Sequence, residues 1–192
     1  MLKIYDVIDD NRSTAIYFIT DYAANGNLKE FLSKKTHTNE IIKNLFRQII
    51  LGIEYIHRST NSSHGGIKLE NILVDKNGHA KISDLHLSFL KNLDDTDSDE
   101  IINSHYYISP EVILEGDDEM YAAIDIWASG IILYYMLKGT FPFTAMDALN
   151  LFSVITNSEP NYDGIGEEET VLLKGLLAKK PRKRYTIEDI KV

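Results

Sequence analysis

The stretch "HGGIKLENILVDKNGHAKISDL", residues 64–85, decides the fold of this chain. Two short apolar runs lie on either side of "DKNGH", and the Asn77-Gly78 pair within it is a strong signal for a tight hairpin turn. We therefore predict two short antiparallel strands here. The loop before them, "HGGIKLEN", contains two adjacent glycines and four polar side chains, a composition typical of a functional loop.

The segment before this loop shows the most regular apolar pattern in the chain. From Thr38 onward, apolar residues recur with a period of 3.6, which predicts a helix of more than four turns. They are Ile41, Ile42, Leu45, Phe46, Ile49, Ile50, Ile53 and Ile56. Further upstream, "NLKEFLSK" begins with Asn27 and has Glu30 three places on, the spacing of a capping box. A short helix is predicted there.

The two ends of the chain differ in character. "MLKIYDVID" and "AIYFITDYA" are β-branched and aromatic runs separated by a polar turn, and they predict a hairpin and its exit within residues 1–23. The chain from about residue 120 is mostly helical. Between the halves, "KNLDDTDSDEIINS", residues 91–104, is acidic and without periodicity, so we predict a surface loop.

Composition limits the classes of function. The chain has 192 residues, enough for one globular unit, and a formal net charge of −9, which disfavours binding to a nucleic-acid backbone. It contains no cysteine, so disulfides and thiolate metal sites are excluded. The longest apolar run, residues 126–137, is too short to cross a bilayer. We expect an intracellular, cytoplasmic protein that binds neither nucleic acid nor membrane.

Five motifs in one order give the chain a family resemblance. "HGGIKLEN" stands where a kinase has H-R-D-x-K-x-x-N, "DLH" (84–86) resembles D-F-G, and "SPE" (109–111) resembles A-P-E. "DIWASGIILYYMLKGTFPF" (125–143) resembles the central buried helix, and "KKPRKRYTIEDI" (179–190) resembles the Arg-containing segment that follows. The sequence thus resembles eukaryotic protein kinases of the serine/threonine type, most of all the calcium/calmodulin-dependent and energy-sensing branches.

The resemblance implies an α+β, protein-kinase-like fold. A mainly α-helical large lobe would occupy residues 24–192, and a β-hairpin remnant of the small lobe with the hinge would occupy residues 1–23, in a single domain. Neither a G-x-G-x-x-G loop nor the Val-Ala-Ile-Lys strand precedes that hairpin in this sequence. We therefore expect the elements that position ATP to be missing, and the upper surface of the large lobe to expose apolar side chains.

Several positions match functional residues of the family. The resemblance implies Asn71 and Asp84 as the two magnesium ligands, since their oxygen atoms suit a hard cation that bridges phosphates. Lys68 matches the lysine that binds the transferred phosphate, and Ser104 stands near the threonine that contacts the same loop. Retained in isolation, these residues predict at most weak binding of magnesium and ATP.

The departures from the family pattern affect the chemistry more strongly. Gly66 occupies the position of the catalytic Asp, so no intact catalytic residue is implied, and loss of a general base costs about 10²–10⁴-fold in rate. Gly65 replaces the Arg that pairs with a phosphorylated activation loop, in which Thr96 and Ser98 would be the acceptors. His86 replaces the Gly of D-F-G; it is either a solvated or packing residue or, alternatively, a substitute base or metal ligand.

The residues that maintain the fold are present. Asp125 matches the buried Asp that holds the backbone of the catalytic loop, and His64 matches a position with a structural role. Glu111 and Arg184 match an ion pair across the large lobe. The large lobe is therefore expected to fold even though its catalytic loop has diverged.

Three functional hypotheses follow from this pattern. The first is an inactive kinase homologue, or pseudokinase, that acts as a protein-binding or allosteric module, with another kinase or a kinase substrate as partner. The second is a divergent ATP-dependent serine/threonine kinase whose sequence here starts after its nucleotide-binding strands. The third is a fragment without a stable product. Gly-rich and Ala-x-Lys strands encoded before Met1 would favour the second hypothesis.

Overall fold

The protein is described by a computed structural model that covers residues 1–9, 16–34, 36–83, 104–114 and 121–190. Two strands come first, β1 (Ile4–Asp9) and β2 (Ile16–Thr20), followed by helices α1 (Leu28–Ser33) and α2 (Asn39–Thr60). Strands β3 (Ile72–Val74) and β4 (Ala80–Ile82) form the second hairpin. The remaining helices are α3 (Pro110–Ile113), α4 (Tyr121–Lys138), α5 (Ala148–Asn157), α6 (Glu167–Leu176) and α7 (Ile187–Ile190).

This architecture confirms the predicted fold class, a mainly helical unit with two small antiparallel sheets. In the first sheet, Val7 lies opposite Phe18, and both strands expose nearly all of their side chains. In the second, Ile72 lies opposite Ile82. The Asn77-Gly78 turn forms as predicted, since Gly78 adopts a left-handed φ of 81°.

Helix α2 confirms the prediction from apolar periodicity. The side chain of Thr38 accepts a hydrogen bond from the backbone of Ile41 and begins the helix, and Asn61 ends it in a left-handed conformation. Seven of the eight predicted apolar positions are buried, whereas Ile41 is 38% exposed. The reason is geometric, because at about 100° per residue Ile41 lies about 80° around the helix from the fully buried Ile49, at the edge of the buried face.

Helix α4 is the centre of the large lobe. Its residues are apolar all round, and Trp127, Ile131 and Ile132 are fully buried. It packs against α2 on one side and α6 on the other. Close approach of α6 depends on Gly130, where a Cβ would lie only 2.8 Å from a methyl group of Leu177. Asp125, in the second turn of α4, lies next to the catalytic loop.

Some predictions concern segments outside the described residues. The acidic segment from 91 to 103, with Thr96 and Ser98, belongs to this group, as do Asp84 and His86. Among the helices that the structure does describe, none has the combination of length and apolar character that crossing a bilayer requires.

Candidate functional site

The loop "HGGIKLEN" runs from the end of α2 to the start of β3, and Asp125 fixes its first part. The Asp125 carboxylate is 1% exposed and accepts hydrogen bonds from the backbone N–H groups of His64 (2.7 Å) and Gly65 (3.0 Å). Its Oδ2 also lies 2.7 Å from Nε2 of His57 on α2. A buried carboxylate requires such partners. The anchoring role predicted for Asp125 is thereby confirmed.

His64 is held as a structural residue within this loop. Its ring is fully buried, its Nε2 lies 2.9 Å from the carbonyl oxygen of Ser83, and its Nδ1 lies 3.1 Å from the backbone N of Gly66. These two partners assign the proton to Nε2, which donates, and leave Nδ1 as the acceptor. With both nitrogens committed, the imidazole supports the backbone and is not available to act as a base.

The two glycines occupy the positions where the family has Arg and Asp. Gly65 adopts a left-handed φ of 71°, a conformation that glycine takes without steric cost. The backbone of Gly66 is engaged on both sides, since its N–H donates to His64 and its carbonyl accepts from Nδ2 of Asn71 at 2.9 Å. The backbone of the loop therefore has a defined conformation. Gly66, which was predicted to lack a base, contributes only backbone atoms to the site.

Lys68 and Ser104 meet as the sequence suggested. Nζ of Lys68 lies 3.4 Å from Oγ of Ser104, although the two residues are 36 positions apart. Tyr107 adds a second link, because its hydroxyl accepts from the backbone N–H of Leu69 at 3.2 Å. Burial, together with the charge of Glu70, raises the pKa of Tyr107 far above its usual value, so the hydroxyl stays neutral. Segment 104–107 is thus joined to the loop at two points.

Sequence reasoning missed the role of Tyr107. A signal was available, since "HYYISPE" places two tyrosines just before the "SPE" motif. The sequence does not show which of them turns inward. In the fold, Tyr107 is buried, whereas Tyr106 stacks on Phe141 with ring centroids 4.3 Å apart. Only the tertiary packing distinguishes the two rings.

Asn71 is the one predicted magnesium ligand within the described residues. Its amide nitrogen donates to Gly66, and this bond leaves Oδ1 as the side-chain atom free to face a cation. Its backbone carbonyl accepts two hydrogen bonds from Ser83, one from the N–H at 2.9 Å and one from the hydroxyl at 3.0 Å. These bonds hold the start of β3 beside Ser83, the residue before Asp84. Asn71 thus fits a magnesium site in orientation and donor type.

A single amide oxygen does not by itself hold magnesium, which normally takes carboxylates together with substrate phosphates. Within the described parts of the chain, no group of three or more His, Asp and Glu residues is arranged to hold a metal ion. The described residues therefore contain one of the two predicted magnesium ligands, Asn71. The negatively charged ligand would have to be the Asp84 carboxylate.

Glu111 and Arg184 form the predicted ion pair behind the site. Two hydrogen bonds of 2.6 and 2.8 Å join the guanidinium to both carboxylate oxygens, and the Arg184 side chain has no exposed surface. Burial raises the pKa of Glu111, but the hydrogen bonds and charge of Arg184 outweigh that effect and hold the pKa below its usual value. The pair fixes α3, which follows segment 104–107, to the end of the lobe.

The first hairpin is attached above the site by a few backbone bonds. Leu2 donates to the carbonyl of Ile82 at 2.9 Å, and Asn25, just after the hairpin, donates to the carbonyl of Val74 at 3.1 Å. These contacts place β1 and β2 next to β3 and β4. Large apolar side chains of the hairpin are exposed, among them Val7, Tyr17 and Phe18.

Comparison with known proteins identifies relatives along the whole chain. The family model of the protein kinase domain matches residues 1–192. Human NUAK family SNF1-like kinase 1 is 33% identical over 191 residues, and the match covers 99% of this chain and 28% of that protein. Serine/threonine-protein kinase ssp1 of Schizosaccharomyces pombe is 31% identical over 206 residues, covering 100% and 31%.

A plant protein shows the same similarity. CBL-interacting serine/threonine-protein kinase 8 of Arabidopsis thaliana is 33% identical over 195 residues, a match that covers all of this chain and 42% of the relative. In each of these comparisons the chain spans less than half the length of the relative.

Proposed function

The chain belongs to the protein kinase domain family, and we propose that it is an inactive member that acts as a protein-binding or allosteric module. The observation that carries this proposal is Gly66. A kinase needs a carboxylate at this position to orient and deprotonate the substrate hydroxyl, and glycine has none. Its backbone atoms are already bonded to His64 and Asn71.

The nearby Asp125 is a poor substitute for the missing carboxylate. Its two oxygens hold the N–H groups of His64 and Gly65 and face Nε2 of His57, and the residue is almost fully buried. To act as a base it would have to release the backbone of the loop that positions the substrate. The same contacts that stabilise the loop therefore keep Asp125 out of proton transfer.

Gly65 supports the proposal independently. Without the Arg side chain, this position cannot form a charge-assisted pair with a phosphorylated activation loop. Its left-handed φ of 71° would also strain any residue with a Cβ, at a cost of roughly 1–2 kcal/mol. The backbone at this position is therefore suited to glycine. Together, the two glycines remove both the general base and the usual response to loop phosphorylation.

A divergent serine/threonine kinase is the second candidate. It is favoured by the contact between Lys68 and Ser104 and by the orientation of Asn71, both of which suit binding of a magnesium-bound phosphate. Such an enzyme would need a base from a part of the chain other than Gly66. It would also need to bind magnesium nucleotide, which gives a direct way to distinguish the two candidates.

The first prediction concerns nucleotide binding by the protein purified from its natural source at its native length. We expect about 1 mM ATP with excess magnesium to raise the melting temperature by less than about 1 °C, because a ligand far below its Kd adds little stability. The measurement is a thermal shift assay on this protein and on Asn71→Ala. A larger shift that Asn71→Ala abolishes would contradict the expectation and favour the divergent kinase.

The proposed partner is a protein, either another kinase or a kinase substrate. The large apolar side chains exposed on β1 and β2 support a protein partner, because contiguous apolar surface of this kind usually marks an interaction site. The net charge of −9 argues against nucleic acid. In this proposal residues 1–23 form the small-lobe remnant and hinge, and residues 24–192 form the large lobe.

A further inference from the structure

A cavity of about 700 Å³ lies among helices α2, α4, α6 and α7 of the large lobe, and none of its lining residues belongs to the catalytic loop. Most of the lining is apolar, chiefly Ile42, Phe46, Ile50, Leu133, Leu137 and Leu172. Protein interiors are close-packed, and a space that would hold about twenty waters is unusual. Its volume is within the range of ligand-binding cavities.

The cavity is elongated along helix α2. The lining residues of this helix run from Asn39 to Leu51 and are spaced three or four apart in two rows, so they form one face of the helix. With a rise of about 1.5 Å per residue, that face is about 18 Å long. Spread over this length, the volume gives a mean cross-section of roughly 40 Å². Such a space suits a narrow, flexible chain better than a broad ring system.

Charged side chains also line the cavity, and one of them is without a partner. Nζ of Lys43 on α2 lies 3.6 Å from a carboxylate oxygen of Glu168 and 3.2 Å from one of Glu169, both on α6. Lys43 therefore offsets much of the charge of the two carboxylates. Arg47, one turn further along α2, is exposed and has no ion pair with any carboxylate that the structure describes. Its guanidinium is available to an anion.

We propose that this cavity binds a free long-chain carboxylic acid, with the hydrocarbon chain against the apolar lining and the carboxylate at Arg47. The hydrocarbon chain displaces water to which the apolar side chains offer no hydrogen bonds, and this displacement supplies most of the affinity. The guanidinium presents parallel N–H groups that match the two oxygens of a carboxylate. The site thus recognises one elongated apolar group and one negative charge.

The length of the cavity sets the length of the ligand. Since C–C bonds are about 1.5 Å long, an extended zigzag of roughly 14 carbons spans about 18 Å. Each methylene that enters the cavity is expected to strengthen binding about fourfold. The measurement is isothermal titration calorimetry of the protein at its native length with saturated acids from octanoic to hexadecanoic. We expect the affinity to rise up to tetradecanoic acid and then to level off.

Two neighbouring variants on α6 locate the bound chain. Leu172 lines the cavity, whereas Val171 is 56% exposed and lies outside the lining. An indole at residue 172 takes up part of the space, so we expect tetradecanoic acid to bind Leu172→Trp at least about tenfold more weakly than Val171→Trp. Urea unfolding of both variants checks that they are folded. Equal affinity of the two folded variants would overturn the proposal, because the acid would then bind elsewhere, such as on the exposed strands β1 and β2.

Two arginine variants test the head group without disturbing the core, since both side chains are exposed. Arg58 lies on the same helix as Arg47, but it is outside the cavity lining and pairs with Glu54 at 2.8 Å. We expect Arg47→Gln to bind tetradecanoic acid about fivefold more weakly and Arg58→Gln to bind it like the natural chain.

The methyl ester of the same acid separates a free carboxylate from an acyl chain in ester or amide linkage. It keeps the hydrocarbon chain but carries no charge, so its binding should be the same in Arg47→Gln and in the natural chain. The proposal fails if Arg47→Gln binds the free acid as tightly as Arg58→Gln does. It also fails if affinity does not rise between octanoic and tetradecanoic acid.

Discussion

Replacing Asp125 with alanine is expected to lower the free energy of unfolding by about 3–5 kcal/mol. The side chain is buried, and its loss leaves the N–H groups of His64 and Gly65 without acceptors inside the protein. His57 loses its partner on α4 at the same time. Removing the Asp125 carboxylate thus leaves three donors without their hydrogen-bond acceptor. Urea unfolding measures the effect, with fluorescence of the single tryptophan, Trp127, as the probe.

Asp125→Asn is the matched control for this prediction. It preserves the shape of the side chain but has one acceptor oxygen in place of two and no charge, so we expect a smaller loss than for alanine. A loss below about 1 kcal/mol for Asp125→Ala would show that the loop backbone finds other acceptors. In that case Asp125 would not be the anchor of the catalytic loop.

Replacing Arg184 with methionine is the second change with a large expected effect, again about 3–5 kcal/mol of unfolding free energy. Methionine keeps much of the length of the side chain but leaves the Glu111 carboxylate partly buried without its partner. It also leaves the carbonyls of Ala123 and Ala178 without their donors. The same urea assay measures the loss.

The double variant Glu111→Met, Arg184→Met separates loss of the pair from loss of packing. Because no uncompensated charge remains, we expect the double variant to be more stable than Arg184→Met. If instead the losses measured for the single variants Glu111→Met and Arg184→Met add up to the loss of the double variant, the two side chains are not coupled and the prediction is wrong.

The same pair predicts a pH dependence. The folded-state pKa of Glu111 lies below its ordinary value of about 4.5, because Arg184 outweighs the effect of burial. The carboxylate therefore contributes stability that is present above the ordinary pKa and is lost as the pH falls through the folded-state pKa. Glu111→Gln should be less stable than the natural chain at pH 7, and the difference should shrink below about pH 4.

The predictable part of the fold is the part fixed by local patterns. Helix α2 follows from one apolar period and a capping threonine, and the β3–β4 hairpin follows from an Asn-Gly pair between two apolar runs. These features depend on neighbours within a few residues. The exposure of Ile41 shows the limit of periodicity, because the pattern does not show how wide the buried face of the helix is, and Ile41 lies at the edge of that face.

The type and order of its residues identified the catalytic loop from the sequence. The contacts that this loop makes with distant segments are visible only in the structure. Sequence alone placed Lys68 and Ser104 near each other only through the resemblance, and the bond from Leu69 to Tyr107 was not anticipated. Lys179 shows the same limit, because the position of its ammonium nitrogen over the rings of Phe143 and Trp127 depends on how segments distant in sequence pack together. From the sequence alone, a lysine within the basic segment "KKPRKR" is predicted to be exposed.

We propose that Gly66 leaves this kinase-like protein without phosphoryl transfer. The measurement that tests it most directly is transfer of labelled phosphate from ATP to serine/threonine peptides by the protein at its native length, compared with Asn71→Ala. We predict that the two proteins give the same background, since neither has a base at residue 66. Transfer that is clearly above background and is lost in Asn71→Ala would contradict the account and identify the protein as an active kinase.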